Sequence, residues 1–268
     1  MTIGIGWIGC RGGGSEHLYF ASDSRVRGGH RLDACPKILT LPRSDCAMCF
    51  AGDTAATYPL MLQMSYAIGA HQPSRERALD IGRVKNHIVR IATDLIRSYE
   101  DVVEDWTSTD VQFLFGGYSW LKQDFRLWTI YFKESDRSFA AREAVSFHDN
   151  LRKAAFIGDW AKPVRSRVHA AVAGLTGPAH IEPLIALADC LESASESDTI
   201  GGPPQVVRIA RHMNTRPLCV PWRGADTLFG RPLFDYENTD YWVLDPRSGE
   251  IRRPRKFGVR DAGSVDGA

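Results

Sequence analysis

The chain has 268 residues, 44% hydrophobic and 24% charged, enough to bury a sizeable core in one large domain or two small ones. Its 33 Lys and Arg nearly balance 32 Asp and Glu, so bulk charge argues against a nucleic-acid or membrane-surface binder. No apolar run approaches the ~20 residues of a membrane span, no basic leader precedes the first apolar stretch, and six cysteines are too sparse for a disulfide scaffold, so a cytoplasmic protein is expected.

In chain order, Ile3 to Ile8 reads as a buried strand interrupted by Gly4 and Gly6, and Arg11 to Ser15 as a turn. His17 to Ser22 is a second strand, making a hairpin with the first. Ser24 to Asp33 is polar and turn-rich; Lys37 to Leu41 and Cys46 to Ala51 are further strands. From Thr54 the spacing of Leu60, Met64 and Ile68 becomes helical. A second helix is expected from about Arg75 to Glu104, with Ile81, Val84, Ile88, Ile91 and Leu95 on one face. Strands follow at Val111 to Gly116, Phe125 to Phe132 and Ala154 to Ile157, then helices at Val164 to Val172 and His180 to Ser193. Gln205 to Arg211 is a strand, and Tyr241 to Leu244 with Gly249 to Arg252 forms a hairpin. The last dozen residues are polar and expected to fray. Strand runs segregated from helix runs predict helices packed on antiparallel sheets rather than alternating βα units.

Thr2 stands behind Met1, where a small side chain permits removal of the initiator. Removal would give Thr2 a free α-amine with an ordinary pKa of about 7.7–8.0, able to act as base for its own hydroxyl. Many proteins begin Met-Thr, so this alone is a weak signal. The segments YFASDSRVRGG, CPKIL and FAGDTAAT, in that order, resemble the first half of the proteasome-type N-terminal-nucleophile hydrolases. The ASDSR wording is most similar to the bacterial ancestral-β-subunit (Anbu) branch. The resemblance is closest over Thr2 to Ala67 and agrees in element order to about Arg211.

That resemblance implies an α+β fold, a four-layer αββα sandwich, over residues 1–218, with 219–268 as a C-terminal extension carrying the late hairpin. It implies a peptide or amide substrate, no cofactor or metal, and a homo-oligomeric ring or helical stack with no nucleic-acid or membrane partner. The extension is expected to brace a neighbouring subunit. Thr2 is then the nucleophile, Lys37 the buried cation that favours its alkoxide, and Asp23 the carboxylate that compensates Lys37. The backbone N–H groups of Gly52 and Asp53 match the segment that faces the oxyanion, a donor of a type worth roughly 3–4 kcal/mol in well-studied hydrolases. The Asp53 side chain is read as the cap of the helix opening at Thr54.

Two departures stand out. Asp159 occupies the place of a serine beside the nucleophile, and would accept a proton from the threonine amine. The Gly201 to Gln205 turn lacks the acid and hydroxyl found in relatives. These favour a rival, a non-catalytic structural or interaction protein with a decayed site; an amidase acting on a small molecule is a further alternative. Cys46 and Cys49 spell CxxC, but no second pair or nearby histidine completes a zinc site, so buried structural thiols are expected. Trp7, Trp106, Trp120, Trp128 and Trp160 read as core or interface residues rather than a stacking platform.

Overall fold

The computed structural model describes residues 2–12, 14–28, 30–98, 106–107 and 110–254; Met1 and the polar tail expected to fray lie outside them. The first half of the chain forms β1 (Gly4–Cys10), β2 (Glu16–Ser22), β3 (Val26–Gly28), β4 (His30–Leu32), β5 (Ile38–Thr40), β6 (Cys46–Gly52), α1 (Thr54–Ala70), α2 (Gln72–Arg75) and α3 (Ile81–Arg97). Next come β7 (Val111–Ser119), β8 (Asp124–Lys133), β9 (Ser138–Glu143), β10 (Ala154–Ile157), α4 (Ala161–Ala173) and α5 (Glu182–Ser193). Seven short strands follow: β11 (Gln205–Ala210), β12 (Thr215–Leu218), β13 (Val220–Trp222), β14 (Ala225–Leu228), β15 (Arg231–Pro232), β16 (Val243–Leu244) and β17 (Ile251–Arg252).

Two five-stranded antiparallel sheets organise this mixed α/β chain, in the orders β10-β1-β2-β11-β12 and β5-β6-β7-β8-β9. Strand alternation sorts their side chains into three apolar clusters. Ile3 and, from β1, Ile5 and Trp7 meet Val164 and Val168 of α4 and Leu184 and Leu187 of α5. Phe113 and Phe115 of β7 meet Leu60 and Met64 of α1 and Val84 and Ile88 of α3. Leu18 and Phe20 of β2 meet Cys49, Leu114 and Leu127 in a third cluster drawn from both sheets. Gly4 and Gly6 share that last face of β1. A Cβ on Gly4 would lie 2.9 Å from Ile157 Cγ1, and one on Gly6 2.8 Å from Leu127 Cδ1.

Three expectations change. The long second helix is α3 alone, preceded by the single turn α2. Arg77 takes a positive φ of 65°, and the Asp80 side chain caps α3 by accepting from Gly82 N–H. Residues 99–105 of the expected helix lie outside the described set. The polar stretch after Ser24 is the hairpin β3–β4, with Arg25 buried in a two-point ion pair to Asp33. β9 and β12 to β15 were not expected. β9 and β12 are edge strands, and prolines in β12, β13 and β15 weaken the strand signal. The late hairpin is present as β16–β17.

Residues beyond 218 join the body of the molecule. Val220, Trp222 and Leu244 lie in the α4–α5 cluster, and Arg247 pairs with Asp189 and Glu192 of α5. Cys46 and Cys49, three apart on one strand, face opposite sides of their sheet and enter different clusters. Burial pushes the Cys49 thiol up to about 12 and the Cys46 thiol well above its ordinary value.

Candidate active site

Register alone gathers the residues singled out in the sequence. Gly4 pairs with both Ser22 and Ile157, and Ser22 also pairs with Gln205. The residues just past these pairs therefore meet at one end of the first sheet: Thr2 before β1, Asp23 after β2, Gly158 after β10 and Gly201 before β11. Lys37 enters from the start of β5, whose Ile38 pairs with Cys49.

Thr2 is 1% exposed, and Asp23 and Lys37 are fully buried. The Thr2 hydroxyl donates to Asp23 Oδ1, and Lys37 Nζ donates to Thr2 Oγ. Lys37 Nζ also reaches Asp23 Oδ1 at 2.8 Å. The same carboxylate accepts from the backbone N–H groups of Ile3 at 3.2 Å, Arg25 at 3.1 Å and Gly201 at 3.2 Å. A buried carboxylate and ammonium are costly unless each is paired and hydrogen-bonded, and here each compensates the other across the threonine hydroxyl.

Gly158 forms the other wall. Its φ is +94°, and a Cβ there would fall 1.9 Å from the Thr2 carbonyl oxygen. Its N–H donates to the Gln112 side chain at 2.9 Å. Asp159, expected beside the nucleophile, is exposed, and its carboxylate accepts from the Thr199 hydroxyl. The sharp turn at Gly158 puts its backbone against Thr2, and Asp159 follows on the solvent side.

The two backbone donors expected at the oxyanion position divide. Asp53 N–H donates to the Asp110 carbonyl at 2.8 Å, so it is already engaged. Antiparallel alternation then turns Gly52 N–H to the opposite edge of β6. That is the side on which Phe50 N–H donates to the Lys37 carbonyl at 3.2 Å. The Asp53 side chain caps α1, accepting from Ala55 N–H at 3.1 Å.

Sequence reading missed Gln205. It is 1% exposed, its Oε1 accepts from Lys37 N–H at 2.9 Å, and its Nε2 lies 2.6 Å from the Cys35 carbonyl. The signal was available: an amide opening the strand QVVRIA, ahead of two valines.

A groove of about 500 Å³ beyond β10 is lined by Arg142, Phe147, Phe156, Lys162 and Arg165 among others, and contains none of Thr2, Asp23 or Lys37. Among the described residues no group of three or more His, Cys, Asp and Glu side chains is gathered to hold a metal, and no helix is long and apolar enough to cross a membrane.

No family model and no curated protein matches the chain. Among solved structures it is similar to an Anbu mutant from Hyphomicrobium sp. strain MC1, at 17% identity and a TM-score of 0.55. The likeness covers 86% of this chain and 88% of that one. The chain therefore shares the fold of this ancestral β-subunit, the branch whose wording the ASDSR segment resembles.

Proposed function

We propose that the chain is a threonine-nucleophile amide hydrolase, a peptidase of proteasome-like type, acting once Met1 is removed. The observation that carries the reading is the buried constellation in which Lys37 and Asp23 both bond the Thr2 hydroxyl. On this reading Thr2 Oγ attacks the substrate carbonyl while the freed α-amine takes its proton. Lys37 stabilises the developing negative charge on Oγ, and Asp23 keeps the buried ammonium compensated. Gly52 N–H is the backbone donor to the oxyanion, and Asp53 is left as a helix cap. The tetrahedral intermediate collapses as the α-ammonium protonates the leaving amine. Water then cleaves the resulting ester, releasing the acid and restoring Thr2. No role is assigned to Asp159 in these steps.

The three apolar clusters support the finer architecture: helices α1 and α3, two sheets, then α4 and α5, a four-layer αββα sandwich. The shared fold with an ancestral β-subunit supports assembly into a ring or helical stack. One observation favours a rival reading, a structural protein with a decayed site: Asp159, in the place of the family serine, is turned to Thr199.

Intact mass decides first. The reading expects Met1 to be absent from the purified protein; retention of Met1 sinks it. A threonine-directed electrophile is expected to add mass to the processed wild type and none to Thr2→Ala, whereas equal labelling of both refutes the assignment.

A further inference from the structure

The turn that departs most from the family supplies a device of its own. The Gln205 amide spans the two backbone segments that carry the charged pair. Its Oε1 accepts from Lys37 N–H at 2.9 Å; its Nε2 donates toward the carbonyls of Cys35 at 2.6 Å and Asp23 at 3.3 Å and the Ser24 hydroxyl at 2.9 Å. Only one orientation of the amide satisfies a donor on one side and acceptors on the other. Ser24 Oγ in turn donates to the Pro203 carbonyl at 2.5 Å. From outside, the turn between β14 and β15 closes on this cluster. Gly230 has φ of +86°, and a Cβ there would lie 2.1 Å from Ser24 Oγ and 3.3 Å from Gln205 Nε2. Phe229 packs on the apolar cluster that holds Ile38, the neighbour of Lys37.

We propose that Gln205 is a positioning residue that sets Lys37 and Asp23 against Thr2, and that the C-terminal segment holds it there through Gly230. The inference rests on the threonine-hydrolase reading. Catalytic geometry is unforgiving: misplacement by about 1 Å costs on the order of 100-fold in rate. A single amide bridging both charged segments is where such misplacement would start.

The test uses the full-length, processed protein and a peptidyl β-lactone. Thr2 Oγ opens the ring: the lactone acyl–oxygen bond breaks, an ester forms on Oγ, and the ring oxygen takes the proton. Labelling is followed by mass against pH. Gln205→Met keeps the size and removes every hydrogen bond of the side-chain amide. It is expected to lower the rate about 10- to 100-fold and move the pH midpoint upward, because a displaced Lys37 helps the hydroxyl less. Gln205→Glu keeps the acceptor for Lys37 N–H but sets a carboxylate oxygen against the Cys35 and Asp23 carbonyls in place of a donor, and is expected to slow labelling as well. Gly230→Ala, far along the chain, is expected to shift the midpoint in the same direction. If Gln205→Met does not fold, the other two variants carry the test. Folded variants that label at the wild-type rate, or more slowly with an unmoved midpoint, overturn the inference alone. Failure of the wild type to label at Thr2 overturns the hydrolase reading and this inference with it.

Discussion

At Gly158 the backbone has φ of +94° and stands against the Thr2 carbonyl, so a side chain there meets both a strained conformation and an immovable neighbour. Such strain is worth about 1–3 kcal/mol on its own. Gly158→Ala is accordingly expected to destabilise the protein by at least that amount and to displace Thr2. A denaturant melt paired with the rate of Thr2 labelling checks it, and a variant as stable and as reactive as wild type would refute the placement of this wall. The residue scale is also where the sequence was most readable. Thr2, Asp23 and Lys37 were all named through the resemblance of their segments to a known family, and the structure places all three in hydrogen-bonding contact. Asp53 and Asp159 show the limit of such reading. A motif says which residue stands at a position, but neither which way its N–H points nor what its carboxylate faces.

At the scale of elements, β1, β2 and the loop before α5 share a polar seam. The Tyr19 ring stacks on Trp7, and its hydroxyl lies 3.0 Å from His180 Nε2. Burial, then the nearby Arg208, lowers the pKa of His17 to about 4, with His180 and His212 also facing it. Burial likewise lowers His180, opposed by Glu182 and aided by Arg11 and Arg208. The folded state thus holds His17 neutral down to about 4 and lowers His180 from its ordinary value, whereas in the unfolded chain both titrate near about 6.5. The unfolded state therefore binds more protons below that pH, and stability is lost as pH falls from about 6.5 toward 4. Urea midpoints at pH 7 and pH 5 measure the slope. His17→Gln together with His180→Gln is expected to flatten it, and an unchanged slope in the double variant would contradict this account. The strands and helices themselves followed from periodicity wherever one face is buried. Periodicity failed at β9 and at β12 to β15, where short edge strands carry too few residues to show a pattern and prolines interrupt it.

Across the whole molecule, the residues after 218 complete the core. Val220, Trp222, Val243 and Leu244 are buried, and the Cys219 backbone exchanges hydrogen bonds with Trp242 and Leu244. Burying side chains of this kind stabilises by about 1.5–3 kcal/mol each, a sum comparable to the net stability of about 5–15 kcal/mol typical of a folded domain. Truncation after Leu218 is therefore expected to abolish a cooperative thermal transition. A truncated chain that melts cooperatively within a few degrees of full length would show the extension to be dispensable.

What the sequence determined by itself was local and chemical. Alternation in the strands, helical spacing after Thr54, and the order of motifs around Thr2, Asp23 and Lys37 are all properties of neighbouring residues, and neighbours are what a sequence records. The tertiary structure alone decided that Asp53 N–H is taken by the Asp110 carbonyl, that Asp159 faces Thr199, and that Gln205 bridges the segments of the charged pair with Gly230 set against it. Those facts depend on strand register and on contacts between residues up to about 200 positions apart, set by how the sheets close rather than by any local pattern.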